Sequence, residues 1–95
     1  MTAQTKTEVK QKAEDFLMGI LKEITAEPES IMINGEIDAM GLNLVITLSE
    51  KDIASVIGEK GENVQQLRRF MRLWGYRNQA KINVYIPPTN KEQTL

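Results

Sequence analysis

The chain contains no cysteine and no histidine. Without cysteine there is no disulfide framework and no thiolate metal site, and without histidine the commonest metal ligand and general base is missing. Paired carboxylates such as Glu14 with Asp15, or Glu27 with Glu29, have no basic or nucleophilic companion in sequence, so a hydrolytic site is not expected. We therefore expect no enzyme activity, no cofactor and no metal. The first ten residues, MTAQTKTEVK, lack the apolar core of a signal peptide. No apolar run approaches the roughly 18 residues of a membrane span, and a soluble cytoplasmic protein with no membrane partner is the expectation. Aromatic residues are only 5% of the 95, which leaves little material for a stacking platform.

What is present suits one small domain: 41% of residues are hydrophobic and 26% charged. The formal net charge is −1, but it is unevenly spread. Residues 1 to 50 hold four lysines against nine acids, whereas residues 51 to 95 hold eight basic residues against four acids. Between Glu62 and Glu92 there is no acid, and Arg68, Arg69, Arg72, Arg77 and Lys81 fall in that window. Such a patch attracts polyanions even on a nearly neutral protein, although an isolated charge cluster is as often a solvated helix face.

Hydrophobic periodicity divides the chain into six elements. Val9, Ala13, Phe16, Leu17, Ile20 and Ile24 recur at helical steps and predict a helix from about Lys6 to Thr25, stopped by Glu27-Pro28-Glu29. Ile31, Ile33 and Ile37 alternate with polar residues, as do Leu42, Leu44, Ile46 and Leu48. These read as two strands joined in a hairpin through Asp38 to Gly41. Ser49 followed by Asp52 resembles a capping box and opens a short helix that ends near Ile57. A longer helix follows to about Trp74, with Val64, Leu67, Phe70, Met71 and Trp74 on one arc and Arg68, Arg69 and Arg72 on another. Leu73 lies outside the apolar arc and marks a candidate self-association surface. The chain is expected to turn at Gly75 and to form a third strand over Ala80 to Ile86 before Pro87 and Pro88. The order α-β-β-α-α-β predicts an α+β, two-layer fold, a three-stranded mixed sheet with three helices on one face.

The helical crossover is interrupted at Gly58-Glu59-Lys60-Gly61. A glycine that closes one helix takes positive φ without steric cost, and another at the start of the next lets a ligand backbone approach. Amide groups at the start of the second helix are unpaired and favour a phosphate, and Lys60 adds a full charge. Ile57 and Val64 beside the turn are suited to an apolar floor for bases.

The stretch VIGEKGENV, with an apolar pair, Gly-x-x-Gly and an apolar residue three positions later, resembles the signature of K-homology (KH) domains. The element order is similar to the type II arrangement. The resemblance covers about residues 6 to 88 and is closest to small bacterial single-KH RNA-binding proteins of the KhpA kind. It leaves residues 1 to 5 as a disordered tail and residues 89 to 95 as a polar tail. It implies a clamp for about four nucleotides of single-stranded RNA, in an RNA chaperone or post-transcriptional regulator. Carried onto this chain, Val56, Ile57, Gly58, Glu59, Lys60, Gly61, Asn63, Val64 and Arg68 are the RNA-binding positions. Glu59 and Glu62 flank Lys60 where the family often carries basic residues. The alternative is a protein-interaction module on the same scaffold, and the resemblance implies a homodimer, or a heterodimer with another KH protein.

Overall fold

In the computed structural model residues 5–87 are described, and both expected tails, Thr5 apart, lie outside them. The elements are α1 (Lys6–Ile24), β1 (Met32–Asp38), β2 (Gly41–Thr47), α2 (Glu50–Ile57), α3 (Glu62–Arg77) and β3 (Ile82–Tyr85). Single 3-10 turns occupy Pro28–Ser30 and Glu59–Gly61.

The sheet has the order β1-β2-β3. β1 and β2 form an antiparallel hairpin in which Asp38 faces Gly41, and β2 and β3 run parallel with Leu42 opposite Ile82. The α+β architecture with a three-stranded mixed sheet is as expected, and it is compatible with a KH-type fold.

One face of the sheet supplies Leu42, Leu44, Ile46, Ile82 and Val84 to a core completed by Ala13, Leu17 and Leu21 of α1, Val56 of α2, and Leu67 and Met71 of α3. Leu17, Leu21, Leu44, Ile46 and Met71 are fully buried, each stabilising the fold by about 1.5–3 kcal/mol relative to exposure. Ile37 continues the β1 alternation but is 42% exposed. It sits at the hairpin end, where the helical layer begins only at Lys6 and leaves a groove of about 430 Å³.

Helix α1 starts with a reciprocal capping box. The Glu8 amide donates to Thr5 Oγ1 at 3.1 Å, and the Thr5 amide donates to Glu8 Oε1 at 2.8 Å. The capping box expected at Ser49 and Asp52 does not form, because the Asp52 carboxylate reaches out of α2 to a different segment. Its Oδ1 accepts from the Ala26 amide at 2.7 Å, and its Oδ2 accepts from the Glu27 amide at 2.9 Å and from Ser49 Oγ at 3.2 Å. At 2% exposure, Asp52 is the one buried charged side chain among the described residues. It joins the end of α1 to the start of α2 and satisfies two amides that the 3-10 turn cannot.

Helix α3 does not end at Gly75 as expected but continues for another half turn to Arg77. The helix holds through Gly75 because the glycine serves close packing. A Cβ there would lie 2.4 Å from the Ala80 carbonyl oxygen and 2.6 Å from Ile82 Cγ1. The reversal comes at Gln79, which has φ 54°.

Two outcomes follow. Gly75→Ala gains helix propensity but forces backbone apart, so it lowers stability by about 1–3 kcal/mol in urea unfolding; a more stable variant would contradict this packing. The Ala26 amide, aided by Glu27 and Ser49, holds the Asp52 carboxyl below its ordinary value of 3.8, although burial pushes the other way. A depressed carboxyl pKa stabilises the fold above the unfolded pKa, and that contribution is lost as pH falls through the folded value. The Tm gap between the wild type and Asp52→Asn should therefore shrink between about pH 5 and pH 2, and a constant gap would show that these bonds are made equally by the neutral acid.

Candidate nucleic-acid interface

The junction between α2 and α3 is made by three residues of positive φ. Gly58 has φ 79° and ψ 170°, Lys60 φ 57° and ψ 25°, and Gly61 φ 75° and ψ 16°. The Gly58 conformation is essentially restricted to glycine, while Lys60 occupies the left-handed region at a cost of about 1–2 kcal/mol. The Gly58 amide donates to the Ala54 carbonyl at 2.8 Å and closes α2. The Gly61 amide donates to the Gly58 carbonyl at 3.1 Å, and Glu62 donates to the Glu59 carbonyl. Within the turn, the amides of Gly58 and Gly61 are thus already used. The amides of Glu59 and Lys60 head the turn, where no intrahelical acceptor exists. Both side chains are exposed, and among the described residues neither forms an ion pair.

The turn is held from below and from the side. Val56 and Val64 are 3% and 6% exposed, so they pack α2 and α3 together and offer almost no surface to a ligand. The apolar floor expected from Ile57 and Val64 is thus left to Ile57, which is half-buried, and to Ile53 one turn earlier. Asn63 Nδ2 donates to the Ser55 carbonyl at 2.8 Å and ties the two helices. A Cβ on Gly58 would meet Asn63 Cγ at 2.7 Å, whereas one on Gly61 would meet only Val64 Cγ1 at 3.9 Å. Asn63 is therefore a strut of the turn, and the outer side of Gly61 is open.

Two surfaces flank this turn. One is a groove of about 460 Å³ lined by Ile24, Ser55, Val56, Asn63, Gln66 and Leu67, which holds no cation. At 100° per residue, Ile53 and Ile57 lie on the opposite side of α2 from Ser55. Arg68 is half-buried and its Nε donates to the Val84 carbonyl at 3.1 Å. In a parallel ladder alternate residues face each edge, and the Lys81 carbonyl accepts from the Leu42 amide. Ile82 and Val84 therefore turn their backbone groups to the unpaired edge of β3. Of the nine positions expected from sequence, Ile57, Gly58, Glu59, Lys60, Gly61, Asn63 and Arg68 reach the surface, Asn63 with its amide committed to Ser55, and Val56 and Val64 support them from within the protein. Ile53 and the β3 edge adjoin these positions and were not among those expected; the four-residue spacing of Ile53 from Ile57 was the available sign of the former.

Among the described residues no cluster of three potential ligands could hold a metal ion, and no helix is long and apolar enough to cross a membrane. The chemistry on offer is exposed amides, one lysine and an apolar ridge, which suits non-covalent contact with an extended anionic polymer.

Fold and turn together define a small αββααβ domain with a Gly-x-x-Gly junction between adjacent helices. Curated relatives carry the comparison further. The RNA-binding protein KhpA of Listeria monocytogenes is 27% identical over 73 residues, covering 77% of this chain and 96% of the relative. The RNA-binding protein KhpA of Chlamydia caviae is 28% identical over 75 residues, covering 76% of this chain and 92% of the relative. No family model matches the chain. The likeness to KhpA-type single-KH RNA-binding proteins read from the sequence is thus upheld across most of its length.

The two glycines should differ on substitution. Gly58→Ala meets both a glycine-only conformation and Asn63, at a cost of about 2–4 kcal/mol, whereas Gly61→Ala enters the left-handed region in open space at about 1 kcal/mol. Urea unfolding of both variants checks this, and equal losses would show that Asn63 yields freely.

Proposed function

We propose that the chain binds single-stranded RNA, holding about four nucleotides at the Gly58–Gly61 turn. In this reading a phosphate lies over the Glu59 and Lys60 amides, with Lys60 as a neighbouring point charge. The bases run across Ile57 and Ile53 toward Arg68 and the open edge of β3. The uncharged groove around Ser55 is the less favourable side for an anionic strand. The observation that carries the proposal is the exposed turn, strained at Lys60 and braced by Asn63; backbone strain of this kind concentrates at ligand-binding positions. The names of the curated relatives support RNA as the ligand. Glu59 and Glu62 oppose the phosphate charge, so binding is modest and salt-sensitive. A cytoplasmic RNA chaperone or post-transcriptional regulator is the role this describes.

A second reading, in which the scaffold contacts another copy or another KH protein, draws on Phe70 and Leu73, which are 48% and 58% exposed on α3.

The discriminating experiment is a chemical-shift titration with short single-stranded RNA, run on the wild type and on Glu59→Asp/Lys60→Asp. Shifts should concentrate at residues 57 to 61 and 68. The double variant should lose about tenfold in affinity, as expected for a charge-assisted contact, with Tm unchanged because both side chains are exposed. Unchanged affinity in a folded variant would reduce the turn to a structural joint and favour the protein-contact reading.

A further inference from the structure

The outward arc of α3 carries a second pattern, away from the turn. Arg69, Arg72 and Tyr76 follow at steps of three and four residues, which places them within about 60° of one another around the helix. All three are exposed, and at 81% Tyr76 is the most exposed of the large apolar and aromatic side chains. Phe16 packs with Phe70 and Trp74 at ring centroid distances of 5.6 and 6.1 Å. Among the described residues Tyr76 joins no ring pair, and neither Arg69 nor Arg72 forms an ion pair. The one carboxylate on α3, Glu62, lies seven residues before Arg69, about 10 Å along the axis. A solvated aromatic ring that follows two guanidinium groups along one helix face, with no ion pair to either among the described residues, is a stacking site set in a positive field.

Tyr76 is fifteen residues from Gly61, about 22 Å along the helix. At roughly 3.4 Å per phosphate this corresponds to about six stacked nucleotides. We infer that Arg69, Arg72 and Tyr76 form a second contact for single-stranded RNA, taking a base on the tyrosine and phosphates on the arginines once the strand is longer than the four nucleotides held at the turn. The inference rests on the RNA-binding reading above and extends its footprint along α3. Leu73, 58% exposed, borders this arc on one side, but the two arginines without ion pairs among the described residues lie within it, and their charge selects a polyanion over an apolar partner for it.

Fluorescence anisotropy with labelled U4 and U10 tests it, using the full chain, Tyr76→Ala and, separately, Arg69→Gln/Arg72→Gln. Each change lies on an exposed helix face, and circular dichroism confirms folding. Each should weaken U10 by at least about fivefold, the lower end for loss of a base stack, while U4 stays within about twofold. Equal effects on U4 and U10, or none, would overturn the second contact and leave the clamp standing. If the wild type binds neither oligonucleotide, both readings fall. If Lys60→Asp leaves U10 binding intact while Tyr76→Ala abolishes it, the α3 contact stands and the clamp falls. An altered sedimentation of the free variant with unchanged U10 affinity would assign this face to a protein partner and overturn the inference.

Discussion

The parallel placement of β3 depends on two absent side chains. The chain leaving α3 passes between Gly75 on the helix and Gly41 at the start of β2. A Cβ on Gly75 would sit 2.4 Å from the Ala80 carbonyl, and one on Gly41 would sit 2.5 Å from the Lys81 carbonyl. With both absent, the Ala80 amide donates to the Gly75 carbonyl and the Leu42 amide to the Lys81 carbonyl, each at 2.8 Å. These bonds set the register of Leu42 against Ile82 and, through it, the apposition of Val84 with Leu44 over the core. The open edge of β3 and the anchor for Arg68 follow from the same register.

At the opposite pole the α2–α3 junction converts core packing into an exposed turn. Val56 and Val64 bring the helices together, Asn63 fixes their spacing against Ser55, and Gly58 accepts a conformation no other residue holds cheaply. The strain at Lys60 persists because the glycines and the packed helices on both sides over-determine it. Asp52 contributes at longer range: by fixing Ala26 and Glu27 it holds the end of α1 against the start of α2. The rigidity at the turn is thus borrowed from buried groups, while the side chains at its tip remain exposed.

Charge is partitioned along the same axis. The turn carries one lysine between two glutamates, but the face of α3 running away from it is cationic and free of acids beyond Glu62. On the proposed reading, an anionic strand is admitted at the turn by geometry and amide dipoles more than by net charge, and its long-range attraction comes from the arginines. Arg68 stands between the two regions, with Nε committed to the β3 edge at Val84.

By itself the sequence determined the six elements, the mixed sheet and the position of the turn. Periodicity of Leu42, Leu44 and Ile46 or of Leu67 and Met71 encodes which face is buried, and Gly-x-x-Gly encodes where a crossover can bend. It also held the α1 capping box in the spacing of Thr5 and Glu8. What only tertiary structure decided were contacts between distant segments: the turn of Asp52 toward Ala26 and Glu27, the continuation of α3 through Gly75, and the withdrawal of Val64 from the surface. Each concerns a residue whose local preference was ambiguous. A carboxylate serves equally as a helix cap or a loop cap, and a glycine serves as a helix stop or a packing gap. The choice fell to whichever distant backbone group lay within hydrogen-bond or van der Waals distance, which a linear pattern does not contain.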